Sequence, residues 1–246
     1  MAFAAMADRR PIPGAVATLG VSERVAFLRR TYAHLGIALL AFAAVTAGMM
    51  RFMPETSLKF SAWALKGSFN WLLVLGLFMV VGWIAERMAR SDTSRGVQYL
   101  GLGLAVTAQG VLLQPLLWVA IVRFGAGGAN DIILNAALIT MTIFVGLTAT
   151  VFVTKKDFSF LRGILTVLTF GALGIILASM LFGFALGAVF CGAMIALMAG
   201  YILFQTSAVM KDFPPTHHVA AALMLFSTVA TLFWYVLQLL MSLRGD

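Results

Sequence analysis

Charge is what this chain has least of. Asp, Glu, Lys and Arg make up 11% of its 246 residues, against about 25% in soluble domains. With 62% of residues apolar, that scarcity excludes a disordered chain. It also excludes a water-soluble globule, whose interior at this size cannot hide so much apolar surface. Cysteine is nearly missing. Cys191 stands alone, so a secreted disulfide scaffold is excluded. The net charge of +8 does not indicate a nucleic-acid partner, because the basic residues form no single patch. They sit in short polar gaps between long apolar runs, where charge sets membrane orientation. No H-E-x-x-H, P-loop or dinucleotide fingerprint is present, and Ser179 has no mid-span histidine to act as its base. The sequence therefore points to no enzyme, no cofactor and no metal centre.

What is there is apolar length. A helical span needs about 20 mostly apolar residues. Runs free of charge cover 31–50, 67–85, 96–122, 132–154, 163–210 and 213–243. The run 163–210 is too long for one crossing at about 1.5 Å per residue. It must fold back near Leu181–Gly187, where two glycines stand. The expected architecture is an all-α integral membrane protein of seven transmembrane helices, near 31–50, 67–85, 97–122, 132–154, 161–181, 186–208 and 218–241. Continuous apolarity excludes a transmembrane barrel, whose strands alternate. Residues 1–21 read as a flexible tail without the apolar core of a signal peptide, and 22–243 as the membrane bundle. Ser22 is placed to cap a short interfacial helix, or a plain extension of the first span. Residues 51–66 read as the longest loop, with Trp63 and Trp71 at a membrane boundary. The segment Gly125–Asn130 reads as a turn, and Pro115 as a possible kink. Gly183, Gly187, Gly171, Gly174 and Gly192 would let helices approach closely.

Twelve of the 17 Lys and Arg residues fall on the side of the N-terminus and the 2–3, 4–5 and 6–7 connections. The positive-inside rule then puts the N-terminus in the cytoplasm. A bacterial inner membrane is the expected setting, with the bilayer as partner.

All nine carboxylates lie at span ends, in loops or in tails. Neutral polar residues remain mid-span: Gln109 and Gln114, Asn135 and Thr142, Gln205 and Thr206, Ser227 and Thr228. Each could simply make an interhelical hydrogen bond, worth about 0.6 kcal/mol; Gln205-Thr206-Ser207 stands out as a polar cluster in an apolar span. His34 is the one titratable group near the start of a span, and reads as a packing histidine or a sensor. His217 and His218 read as a solvated loop.

Three stretches then fit together: FLRRTYAHL (27–35), GLTATVFVTKKDFSFLRG (146–163) and GYILFQTS (200–207). They resemble the Bax-inhibitor, or transmembrane Bax inhibitor motif, family, and Lys155, Lys156, Asp157, Phe158 and Ser159 stand in the family's order. The ending HHVAAALMLFSTVATLFWYVLQLL resembles a bacterial branch. The resemblance implies six helices around a central C-terminal helix. It implies either a pH-sensitive calcium leak channel or a regulator that restrains a membrane protease or counters cell death. In the leak members, two aspartates on spans 6 and 7 share a proton, which makes their ionisation pH-dependent. Here those positions match Gln205 and Thr228, with Ser227 adjacent, and an acidic position in span 3 matches Gln109. Amides and hydroxyls do not titrate near pH 7. The sequence thus predicts a pathway for calcium or another small cation that lacks the pH-sensing pair. The alternative is a non-transporting regulator that binds a membrane protease or other membrane protein.

Overall fold

The computed structural model describes residues 15–92 and 94–245. Among them every long element is helical: α1 (Val21–Phe52), α2 (Pro54–Ala64), α3 (Ser68–Ala89), α4 (Arg95–Thr154), α5 (Leu161–Phe182), α6 (Ala188–Lys211) and α7 (His218–Arg244). Six of these are long and apolar enough to cross a membrane, so this is an integral membrane protein. At 60 residues, α4 would be about 90 Å long if straight. It is broken at Gly125, whose φ of 71° and ψ of 168° are not helical. The glycine turn divides α4 into a first arm (95–124) and a second arm (126–154). Pro115 causes no such break; Gly125 is the residue with non-helical angles inside α4. Lipid tolerates a proline in a helix when neighbours satisfy the freed carbonyl.

Burial is uneven. In α7, 67% of the apolar window is buried, against 11% in α3 and in α5. The helix packs against α6, α4, α1 and α3. Ala220, Ala221, Ala222 and Phe226 are among its buried side chains. α5 packs chiefly on α6.

Several local expectations are corrected. The stretch 51–66 is not a loop, because it contains α2. Pro54 begins α2, a position where the fixed φ of proline suits a helix, and Lys59 pairs with Glu55 one turn back. Ser22 caps nothing: Gly20 is the N-cap of α1 and no side chain bonds there. Residues 22–30 are the plain first turns of α1. The tail is not free throughout. Residues 1–14 lie outside the described residues, but Ala15 and Val16 are buried, and Val16 N–H donates to the carbonyl of Phe213. Gly183 and Gly187 flank the link between α5 and α6, with Gly183 left-handed at φ 74°. They do not pack helices, and Gly171, Gly174 and Gly192 likewise have open space around them. The close approach occurs at Gly101, where a Cβ would lie 2.6 Å from the backbone oxygen of Ala85.

Candidate functional site

The cluster Gln205-Thr206-Ser207 sits on one turn of α6. Successive helical residues point about 100° apart, so the three side chains reach three different neighbours. Gln205 meets α7: Thr228 Oγ1 donates to its Oε1 at 2.8 Å, and both residues are buried. The expected pairing across α6 and α7 is therefore present as a neutral amide–hydroxyl bond. Thr206 is fully buried. Its hydroxyl and that of Thr148 flank the Tyr32 hydroxyl, and none of the three has a partner of good geometry. Ser207 turns to the link after α4, donating to Asp157 Oδ1 at 3.3 Å and accepting from Phe158 N–H at 3.2 Å.

That link carries the family-like motif. Lys155 ends α4 in the left-handed region at φ 52°, which reverses the chain. Asp157 then accepts from the backbone N–H and the hydroxyl of Ser159. Its Oδ2 lies 3.0 Å from Lys211 Nζ at the end of α6. Partial burial pushes the Asp157 carboxyl up, but the Ser159 bonds and the Lys211 charge outweigh it and hold the carboxyl at about 2. Asp157 thus fastens the 4–5 connection to α6. Phe158 stacks obliquely near Phe160, while Lys155 and Lys156 project to solvent.

Ser227 does not join the Gln205 bond. It donates to Leu223 O within its own helix and lines a cavity of about 260 Å³ with Gln205, Thr228 and Tyr201. Gln109 is buried and lines a second cavity of about 470 Å³ with Trp71 and Gln238. The two cavities share Leu173, Ile176, Thr231 and Tyr235. They adjoin along α5 and α7.

The remaining polar residues divide differently. Gln114 is fully buried and holds α2: Ser57 donates to its Oε1 at 2.6 Å, and Trp118 Nε1 donates to Ser57 Oγ at 2.8 Å. Thr142 makes no interhelical bond; it donates to Leu138 O in its own helix. Asn135 faces a groove beside Asp131 and Arg244.

His34 does not reach the Gln205 cluster. Its Nδ1 lies 2.7 Å from Arg30 O, so that nitrogen carries the proton, and Nε2 lies 3.1 Å from Tyr99 Oη. Its ring meets that of His218 edge-on, with centroids 5.0 Å apart. The reading of His217 and His218 as a solvated loop is overturned. His218 opens α7 and is buried, and His217 Nε2 lies 3.0 Å from Asp92 Oδ1. Sequence reasoning missed this pair because 184 positions separate His34 from its partner.

Polytopic helices, a buried α7 and a polar seam between α6 and α7 define a helical integral membrane protein. Residues 24–245 match the family model described as "Inhibitor of apoptosis-promoting Bax1", and the chain belongs to the Bax-inhibitor family. It is 31% identical to Bax inhibitor 1 of Schizosaccharomyces pombe, over 94% of this chain and 82% of that protein. Identity to Protein lifeguard 4 of Mus musculus is 27%, over 92% and 88% of the two chains. An uncharacterized protein of Pseudomonas aeruginosa is 32% identical over 50% of this chain and 55% of its own.

Proposed function

We propose that this protein is a cation leak pathway, with calcium as the candidate ion, that works without a titratable latch. Six of its seven crossings would surround the last, α7, with the N-terminus in the cytoplasm of a bacterium and the bundle in the inner membrane. The bond between Thr228 and Gln205 carries this reading. It joins α6 to α7 where the family resemblance expects a proton-sharing aspartate pair, and it lies beside two adjoining cavities. Oxygens of amides and hydroxyls can coordinate a hard cation weakly. Neither group changes charge near pH 7, so the pathway attracts cations less than a carboxylate pair would and its opening does not follow pH through this contact. The reading assigns no catalytic role to any residue.

A second reading follows from the neutrality of the seam itself. With Gln205, Ser227 and Thr228 all neutral where α6 faces α7, the protein could act by contact with another membrane protein, such as a membrane protease. The weakly buried faces of α3 and α5 and the exposed Lys155 and Lys156 would supply the surface. The name of one relative, Golgi anti-apoptotic protein of Vaccinia virus, describes a role in cell death and leans toward regulation.

Reconstitution into liposomes loaded with a calcium dye separates the two. The leak reading expects calcium flux above protein-free vesicles, equal at pH 6 and pH 8, and pH-dependent flux in the Gln205→Asp, Thr228→Asp variant. No flux from the natural sequence, beside a relative with both aspartates that does leak, defeats it and leaves the regulatory reading.

A further inference from the structure

We propose that a cavity between α1 and the second arm of α4 binds one long-chain fatty acid, with its carboxylate at Arg51 and its chain along α1. The cavity measures about 620 Å³, and the first arm of α4 and α7 close its back. Small side chains make it. Ala43 and Ala47 lie one turn apart on α1 and face Ala137 on the second arm across the space. Ala43 and Ala47 are exposed, so the cavity opens on the membrane-facing side, and an apolar-walled space at that depth takes an apolar chain rather than water.

Size and charge select the occupant. At about 30 Å³ for each methylene-sized group, the liquid volume of a water, the cavity holds about twenty such groups. That is room for one chain of a common fatty acid, and too little for the two chains of a phospholipid. The walls are apolar except for Thr46 and Thr140 partway along, and for Arg51 and Asn130 at one end. Arg51 follows Ala47 by one helical turn, so it stands at the mouth on the same face. A guanidinium holds a carboxylate through two parallel N–H donors, and the Asn130 amide can add a third. Asp131 lines a different groove, where Arg244 accompanies it. This site is separate from Gln205 and Thr228, and neither lines it.

Radiolabelled palmitate binding to the full-length protein in nanodiscs of zwitterionic lipid tests the proposal. The expected result is saturable binding of one palmitate per chain. Arg51→Gln, at the exposed rim, should weaken palmitate about tenfold. Hexadecanol should bind the natural protein about as weakly as palmitate binds that variant. Ala47→Trp should abolish binding by filling the cavity, with retention on size exclusion as the check that it folds. Non-saturable binding overturns the proposal, as does unchanged affinity in Arg51→Gln. Displacement of palmitate by equimolar phosphatidylglycerol also overturns it, since the site would then take a phospholipid.

Discussion

Ser57→Ala should loosen α2 from the bundle by an amount the structure sets. Ser57 is 1% exposed and Gln114 is fully buried. The serine hydroxyl donates to Gln114 Oε1 at 2.6 Å and accepts from Trp118 Nε1 at 2.8 Å. Removing it breaks both bonds. Hydrogen bonds in membrane bundles average about 0.6 kcal/mol and reach about 1.7, so the two together give roughly 1–3 kcal/mol. The oxygen of Gln114 is left without this donor in a dry site, which pushes the cost toward the upper end. The Gln114 amide still has the carbonyls of Gly110 at 3.1 Å and Thr46 at 3.3 Å, so the glutamine should keep its place. Unfolding in mixed micelles measures the free energy, and Trp118 emission reports the local change. The double variant Ser57→Ala, Gln114→Leu removes donor and acceptor together, so its loss should fall short of the sum of the single losses. A loss below about 0.5 kcal/mol for Ser57→Ala, or full additivity in the cycle, would refute the argument that this network anchors α2.

Three further outcomes follow from the geometry. The Asp157 carboxyl titrates at about 2, below its ordinary 3.8. The stability it gives is complete above pH 4 and disappears as pH falls toward 2. With the side chain 44% exposed, solvent screening leaves about 1 kcal/mol, and Asp157→Asn should flatten acid unfolding over that window. Gly101→Val should destabilise by about 1–3 kcal/mol or more, because even its Cβ would meet the backbone of Ala85 and Ala89 at 2.6 and 2.8 Å; a folded variant of unchanged melting temperature counts against the α3–α4 contact. Gly125→Ala should cost about 1–3 kcal/mol, since φ 71° with ψ 168° is a backbone region open essentially to glycine alone; the same change at Gly103, inside the first arm with open space around it, should be neutral or stabilising.

The long apolar helices were legible because lipid demands them whatever their neighbours. The two reversals were legible too, since Gly125 and Gly183 stand in clusters that permit positive φ. The helix α2 was not. Its sequence PETSLKFSAWA is polar enough to read as a loop, although Pro54 at its start and Glu55 before Lys59 were available signals. Interhelical partners lay beyond the pattern. Hydropathy places His34 near the start of the first apolar run and His218 in a polar gap, but nothing in spacing says that the two rings meet. Thr228 was matched to Gln205 through family likeness, and the bond between them is a tertiary fact. Gly101 carried no mark in the sequence to set it apart from Gly103, because a close approach depends on the facing helix.

The turn of α6 that carries Gln205, Thr206 and Ser207 behaves like a key with three teeth. One tooth engages α7, one faces Tyr32 and Thr148, and one catches the link after α4. Rotating α6 by a single residue would withdraw all three at once. Any motion of this helix must therefore be a rigid tilt or slide that keeps its azimuth, or a jump that releases every tooth together.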